Sequence, residues 1–433
     1  MPKGIRNLQI SFAETHLTHY GGMFLIQWFC KKLNLKWIFQ NYVRFPQHNN
    51  RYTTAELLLA LLHTIIAGLG RLNSTRILQY NGSFQAIVGL KRFPNATTLR
   101  RFLLRLTPQA LRQILSVHDH LRQKIFSYPQ TPTSVILDFD SSILTVYGKL
   151  EKAAIAYNPH KPGRASYHPL LCFEIHTQDC LHEEFRPGGE PTGLEKRKFI
   201  EESLSKIPQY TYRIRVRGDS KWYDRKILPL LDERKIGYAI VARVSRPIQR
   251  LLGGLRYHEF KKGWEASEFH YQPHRYTPHR FVVVRRPLPE KDNGRLTLFT
   301  LKKHAYHVIV TNLQLPPESV WRFYCDRARI ELNIKELKWD YYLSKIPTKN
   351  FLANRIYFHL LLLAYNIVNW FKRLCLPEQF QYATLQTIRK EFLVLPARLV
   401  RTGHKNLLKF PAHYVYNWVF DYAIKRIQKL KLL

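Results

Sequence analysis

Acidic residues are scarce in this chain. Over 433 residues, 31 Asp and Glu stand against 68 Lys and Arg, a formal net charge of +37. That excess argues for a polyanionic partner and against an enzyme of small neutral substrates. Cysteine is sparse too. Cys30, Cys172, Cys180, Cys325 and Cys375 are odd in number and form no Cys-x-x-Cys, which fits free thiols in a reducing compartment. One group, Cys172, His176, Cys180 and His182, has a spacing that could hold zinc. The alternative is two strands joined by a turn, because strand pairs rarely converge four ligands without a tighter loop. Long apolar runs are also missing. The best span, Leu352 to Phe371, is interrupted by Asn354, Arg355, His359, Asn366 and Asn369. A membrane span needs about 20 apolar residues, so this one reads as a buried helix. The opening MPKGIRNLQI lacks the apolar core of a signal peptide, and the expectation is a cytoplasmic protein without a membrane partner. No glycine loop of the phosphate-cradling kind occurs, so no nucleotide cofactor is implied.

Apolar residues make up 45% of the chain, enough for real cores, and the length suggests about two to four structural units. Residues 1–127 read as helical. Thr53 to Leu69 is strongly apolar, with Thr54 as a cap candidate, and short helices follow at Ser74–Gln79, Ser83–Val88 and Thr97–Leu106, the last with Thr97 as cap. Tight turns at Asn81-Gly82 and Gly89 separate them, as in a helix-turn-helix or in plain helical packing. Up to Gln130 the acids are Glu14, Glu56 and Asp119, against 17 Lys or Arg, which points to DNA contact.

Tyr128 to Thr133 reads as a linker. Beyond it, Val135–Asp140, His168–His176, Cys180–Phe185, Tyr212–Val216 and Tyr238–Val244 read as strands, with helices at Leu194–Ile207 and Tyr223–Arg234. This is a mixed α/β order. Residues 245–312 alternate aromatic and β-branched positions between turn signals such as Asp292-Asn293-Gly294, and read as an all-β insertion. Ser319 to about Tyr342 is a long helix, Asn350–Leu374 another, and the tail from Leu376 is helical and basic.

Three carboxylates stand out: Asp140 at the end of the first strand, Asp219 at the end of the fourth, and Glu331 on the long helix. A carboxylate among apolar strand neighbours costs several kcal/mol unless it is paired or metal-bound. Sheet ends are the usual ligand position in open α/β sheets. Phosphodiester attack needs a deprotonated nucleophile and a stabilised leaving oxygen, which two Mg²⁺ on hard oxygen ligands provide. On one continuous helix Tyr324, Arg327, Glu331 and Lys338 fall at about 0°, −60°, −20° and −40°, a single stripe. An acid flanked by Arg, Lys and Tyr suits a metal ligand beside a phosphate. A surface ion-pair lattice with Glu336 and Asp340 is the competing account.

The run Tyr324-x2-Arg327-x3-Glu331-x6-Lys338 resembles the Tyr-Arg-Glu-Lys signature of bacterial insertion-sequence DDE transposases. Asp140-Ser141-Ser142 resembles their first-acid motif, and Arg217-Gly218-Asp219-Ser220 the second. Tyr157-Asn158-Pro159, Gly163-Arg164, Tyr167-His168-Pro169-Leu170 and Val310-Thr311-Asn312-Leu313 are similar to the 1380-type group, as is Pro94–Leu103. Ser142 stands where Thr is commoner and keeps the hydroxyl. Lys221-Trp222 stands where relatives often have Gly-Phe. Asp138 shares a strand face with Asp140 and is a rival for the first ligand.

The resemblance implies an α/β fold. Its ribonuclease-H-like mixed-sheet core (133–244 and 313–375) is interrupted by the all-β insertion (245–312). A helical DNA-binding and dimerisation region (1–127) precedes it and a basic helical tail (376–433) follows. It implies a nucleoid-associated bacterial enzyme that cuts its own element at terminal inverted repeats and joins the ends to target DNA. Asp140, Asp219 and Glu331 would bind two Mg²⁺, with Mn²⁺ as substitute, and Tyr324, Arg327 and Lys338 would hold the strand or the ligand geometry. The partners are double-stranded DNA and a second copy in a synaptic dimer. Trp264 either stacks on an unpaired base or packs. Lys161, Arg164 and His168 either contact phosphate or are ordinary polar residues. His160 and His168 suit Mg²⁺ less well than carboxylates. Cys325 lacks the histidine arrangement of a covalent nucleophile. The other readings are a non-catalytic DNA-binding protein derived from a transposase, and a nuclease without strand transfer.

Overall fold

The structure is a computed structural model. It describes residues 9–46, 51–159, 161–211, 213–273, 277–288, 304–403 and 405–431, together with the backbone of 299–301. The Asp292-Asn293-Gly294 turn, His160 and Tyr212 lie outside the described residues. The chain forms two compact units. One comprises residues 1–117, 340–348 and 352–433, the other 118–339 and 349–351.

The second unit is built on one large mixed sheet. Its strands, in chain order, are β1 (Ser134–Ser141), β2 (Leu170–Glu174), β3 (Cys180–Glu184), β4 (Arg213–Gly218), β5 (Gly237–Val241), β6 (His258–Lys261), β7 (Trp264–Tyr271), β8 (His279–Pro287) and β9 (His304–Thr311). They lie side by side as β6-β7-β8-β9-β5-β4-β1-β2-β3, and a tenth strand, Phe299–Leu301, pairs with β9 off this path. β1 is antiparallel to β2 and parallel to β4, and β4 is parallel to β5. A parallel pair needs a crossover, and helix α1 (Gly193–Leu204) supplies the one between β3 and β4. Thr192 caps it in a reciprocal box with Glu195. The β4 to β5 crossover carries the short helix α2 (Leu228–Glu233). It is shorter than the spacing from Tyr223 predicts, since Asp224 accepts the Lys226 amide in a turn. Phe139, Phe199, Trp222, Leu231 and Tyr238 are among the fully or nearly fully buried side chains that close one face of this sheet.

Two expectations for this unit need correction. Residues 245–312 are not all β, because Arg246–Gly254 is a helix with Ile248 and Leu252 buried. Their strands also continue the sheet that carries Asp140, with β9 paired antiparallel to β5 through Ile309 and Val241. The long helix is two helices, α3 (Pro317–Cys325) and α4 (Ala328–Trp339), broken at Asp326-Arg327.

The other unit is largely helical. Thr53, not Thr54, caps Thr54–Ile66, accepting from the Glu56 amide while the Glu56 carboxylate accepts from the Thr53 amide. Asn95, not Thr97, caps Ala96–Arg105. In both cases the cap is the residue whose extended backbone turns its side chain onto the free N–H groups. Arg389 donates to the carbonyls of Ile65, Ile66 and Asp340 at 2.9, 2.6 and 2.6 Å. Two of these are carbonyls in the last turn of helix Thr54–Ile66.

The tail is not wholly helical. Ala397–Thr402 and Lys405–Lys409 form an antiparallel hairpin, and Leu17–Thr18 adds a third strand. Gly403, at a φ of +58°, makes the turn that a helical reading of this basic stretch does not require. Among the described residues one helix, Phe351–Cys375, is long and apolar enough to cross a membrane by length and composition. Most of it is buried within the protein, as its interrupting polar residues predict.

Candidate active site

The register of β1 and β4 places the two sequence-predicted acids together. Phe139 is paired with Gly218 and Asp138 with Arg217 across this parallel ladder. Asp140 and Asp219 are the next residues on each strand, and neighbouring strands lie about 4.8 Å apart. Asp140 is half-buried. Its Oδ1 accepts the Ser141 amide at 2.7 Å, and its Oδ2 lies 2.9 Å from Nη2 of Arg327. Burial is the main cause that pushes its carboxyl up to about 6. Arg327 opposes that shift and the charge of Asp219 adds to it. The two acids therefore feel each other.

Asp219 sits in a braced turn. Its carboxylate accepts the Lys221 amide at 2.9 Å, and its carbonyl accepts the Trp222 amide at 3.0 Å. Lys196, buried on α1, donates to the Lys221 carbonyl at 2.6 Å, and Arg243 donates to that of Ser220 at 3.2 Å. Trp222 is buried against Phe139, with ring centroids 5.1 Å apart. Gly218 is required beneath it, since a Cβ there would come within 2.8 Å of Trp222 Cβ. The Lys221-Trp222 departure from the family pattern thus does touch a proposed ligand, since the backbone amides of both residues bond Asp219 and fix the turn that holds it.

The break between α3 and α4 alters the expected stripe. The Arg327 amide bonds the carbonyl of Tyr324 at 2.9 Å, a three-residue step that tightens the chain. Arg327 is buried. It reaches Asp140 and the Phe139 carbonyl with Nη2, while Nη1 lies 4.0 Å from Glu331. Tyr324 is half-buried, and burial pushes its hydroxyl up to about 12, which keeps it a neutral donor. Lys338 is lowered by burial and raised again by the charge of Asp140, so its ammonium lies within electrostatic reach of the same acid. Glu331 stands apart, its side chain 71% exposed. Tyr324, Arg327 and Lys338 thus gather at Asp140, while Glu331 lies on the solvent side of Arg327.

Among the described residues no three His, Cys, Asp or Glu side chains are grouped closely enough to hold a metal ion. The donor chemistry still suits a hard divalent cation at Asp140 and Asp219. Both are carboxylates, the charge of Asp219 makes Asp140 costlier to ionise without a cation, and the only cation bonded to Asp140 among the described ion pairs is Arg327. Glu331 joins them only if its exposed side chain turns inward.

The remaining candidates separate clearly. Asp138 is fully buried, and its two oxygens lie 2.6 and 2.9 Å from Nε and Nη2 of Arg217, so it is occupied by an ion pair. His168 is buried and bonds Ser141 Oγ at 3.1 Å. Burial, with Lys221 and Arg186 nearby, lowers its pKa to about 4, which keeps it neutral. That excludes it as a cationic phosphate contact, whereas Lys161 and Arg164 are exposed. The Ser142 hydroxyl is buried with no hydrogen-bond partner, so keeping it serves no bond among the described residues. Cys172 and Cys180 are buried with thiols held well above the usual range, His176 is exposed, and His182 bonds Glu202. The zinc spacing is therefore a strand pair. Trp264 is half-buried 5.7 Å from Trp321, with Arg286 5.5 Å from its ring, and Trp321 lies 6.4 Å from Tyr324. Cys325 is exposed, with its thiol pushed up by partial burial and by Asp326. Arg217, read in the sequence only as part of the second-acid motif, and Lys196, not singled out there, hold the site. The one available signal is Arg217 standing as far before Asp219 as Asp138 stands before Asp140.

Known proteins resemble this architecture to different degrees. The structure of piggyBac transposase in a synaptic complex with hairpin DNA aligns over 95% of this chain and 81% of that one, with a TM-score of 0.45 and 12% identity. The Drosophila P element transposase strand transfer complex aligns over 48% and 41%, with a TM-score of 0.22 and 12% identity. The Mos1 mariner paired end complex with Mn aligns over 49% and 65%, with a TM-score of 0.18 and 11% identity. No curated protein matches the chain. The family model described as transposase DDE domain group 1 matches residues 2–432. A match of that extent leaves no part of either unit without family context, and the chain belongs to the group 1 DDE transposases.

Proposed function

We propose that this transposase binds the terminal inverted repeats of its own element, cleaves phosphodiester bonds there with two divalent metals, and joins the ends to target DNA by cut-and-paste. The observation that carries this reading is the placing of Asp140 and Asp219 at the ends of paired parallel strands, where the charge of Asp219 raises the carboxyl of Asp140. The strand order, three antiparallel strands followed by two parallel ones with the first strand central, is what a ribonuclease-H-like core needs. The Tyr324, Arg327, Glu331 and Lys338 spacing supports the Tyr-Arg-Glu-Lys signature and a 1380-type relationship.

Asp140 and Asp219 would hold the cations, Mg²⁺ or Mn²⁺, with Glu331 closing the set. When bound, the metals supply the Lewis-acid charge for deprotonating the attacking hydroxyl and for the leaving oxygen. The chain's own residues do the rest. Arg327 and Lys338 present positive charge to the phosphodiester, Tyr324 offers a neutral hydroxyl donor, and the braced turn keeps Asp219 from moving. The large positive charge binds the DNA backbone, so binding weakens steeply with salt. Two ends cut in concert call for a homodimer on double-stranded DNA.

The decisive experiment is a cleavage and joining assay on DNA carrying the sequences that flank this gene, with wild type beside Asp140→Asn, Asp219→Asn and Glu331→Gln. Cutting and joining by wild type alone establishes the function and the triad. The exposure of Glu331 favours one second reading, a DNA-binding protein derived from a transposase. It predicts binding without cutting under both Mg²⁺ and Mn²⁺.

A further inference from the structure

Beneath the two proposed ligand acids lies a second charged layer. Asp138 stands two residues before Asp140 and Arg217 two before Asp219, so both share the strand face of the acids. They are register partners, and their side chains are 0% and 1% exposed. We propose that Asp138 and Arg217 are positioning residues for the reaction, a pair that fixes where helix α3 ends and so where Tyr324, Arg327 and Glu331 stand relative to Asp140. The proposal rests on the catalytic reading above.

Three observations carry it. The first is the missing helical bond. In a continuous helix the Arg327 amide would bond the Phe323 carbonyl, but here it bonds Tyr324 instead. The second is the capture of the released carbonyl. Arg217 Nη1 donates to Phe323 O at 2.6 Å, and the guanidinium lies 5.1 Å from the Phe323 ring centroid. The third is geometry. Arg217 uses Nε and Nη2 on Asp138 and Nη1 on Phe323, so one rigid plane locks the end of the helix to β1 and β4. A lysine would make a single movable contact.

Stability alone does not account for the pair. Replacing a buried ion pair with apolar side chains of similar volume is often neutral or stabilising, because both charges must be desolvated. What the pair adds is a fixed break. Beyond it Arg327 turns back to Asp140 and Phe139, and α4 begins one residue later. Without that anchor the helix can run on, and Arg327 leaves its acid.

The test uses the full chain with Arg217→Lys and the apolar double variant Asp138→Leu/Arg217→Met. Thermal unfolding, Kd for the flanking DNA, kcat of cleavage at saturating DNA, and amide hydrogen exchange over residues 323–331 are measured on each. Expected are a folded protein, an unchanged Kd, a kcat lowered about a hundredfold, as for a reacting group displaced by about 1 Å, and faster exchange confined to 323–331. A folded variant with wild-type kcat overturns the proposal, as does unchanged exchange in that segment. If the double variant fails to fold, Arg217→Lys alone decides by the same two readouts. Failure of the wild type to cut refutes the catalytic reading instead, and the exchange of 323–331 still decides whether Arg217 sets the break.

Discussion

Replacing Arg327 by alanine removes the guanidinium that bonds Asp140. Both side chains are mostly buried, at 7% and 15% exposure. Breaking a buried pair by deleting one partner costs about 3–5 kcal/mol. Here the loss has a ceiling. The Asp140 carboxyl already stands at about 6, so taking up a proton at pH 7 costs only about 1.4 kcal/mol per unit. Asp140 escapes by neutralising itself, and the expected destabilisation is about 2 kcal/mol. The assay is urea unfolding at pH 7 of wild type, Arg327→Ala, Asp140→Asn and the double variant, read where the m-value is unchanged. The cycle should give a coupling of about 1–2 kcal/mol between the two positions. Glu331→Gln is the control. That side chain is 71% exposed and 4.0 Å from Arg327, so its stability effect should stay below about 0.5 kcal/mol. Additivity of Arg327→Ala and Asp140→Asn within about 0.3 kcal/mol would refute the reasoning.

Other outcomes follow from single side chains. His63 is buried, with Nδ1 bonded to the Leu59 carbonyl at 2.7 Å, and burial lowers its pKa from 6.5 to about 4. A histidine held neutral in the fold contributes stability above the unfolded value and loses it as pH falls towards the folded one. About 2 kcal/mol should therefore go between pH 7 and 5, and His63→Gln should flatten that limb in a pH series of urea melts. Ser142→Ala should leave both stability and cleavage near wild type, because the hydroxyl has no hydrogen-bond partner among the described residues. A large loss on thermal unfolding would reveal a bond to water or substrate. Trp222→Ala should cost about 3–5 kcal/mol by denaturant unfolding. Trp222→Phe should cost less and keep cleavage, since it preserves the contact with Phe139.

The strand order and the two strand-end acids were legible because alternation and turn residues are local signals. The preference for Asp140 over Asp138 rested on the motif alone. Both lie on one face, and what separates them is Arg217, a partner 79 residues away. The helix break was invisible for the same reason. No Gly or Pro lies between Glu318 and Ile346, and the carbonyl released there is held by Arg217 from 106 residues away. The tail hairpin escaped notice because Arg398, Arg401, Lys405 and Lys409 read as the polar face of a helix, while Leu399, Val400, Leu407 and Leu408 are paired across it. The strands of 258–311 looked like a separate body because their union with the core depends on Val241 meeting Ile309, which no local pattern reports.

That last pairing makes the length of the turns in the intervening segment a free variable. Between Val241 and its hydrogen-bonded neighbour Ile309 the chain passes through the helix Arg246–Gly254 and strands β6 to β8, which extend the same sheet. Whatever is threaded between those two points begins and ends at the same place. Lengthening a closed loop is thermodynamically cheap, about 0.6 kcal/mol for each doubling. Its turns can lengthen while Asp219 and the helix bearing Glu331 keep their anchorage on β4 and β9, whereas Ile248, Phe281 and Val308 tie the segment's helix and strands to the core. A junction of this kind makes the exposed turns of the segment, rather than its strands, the place where a reporter can be spliced in.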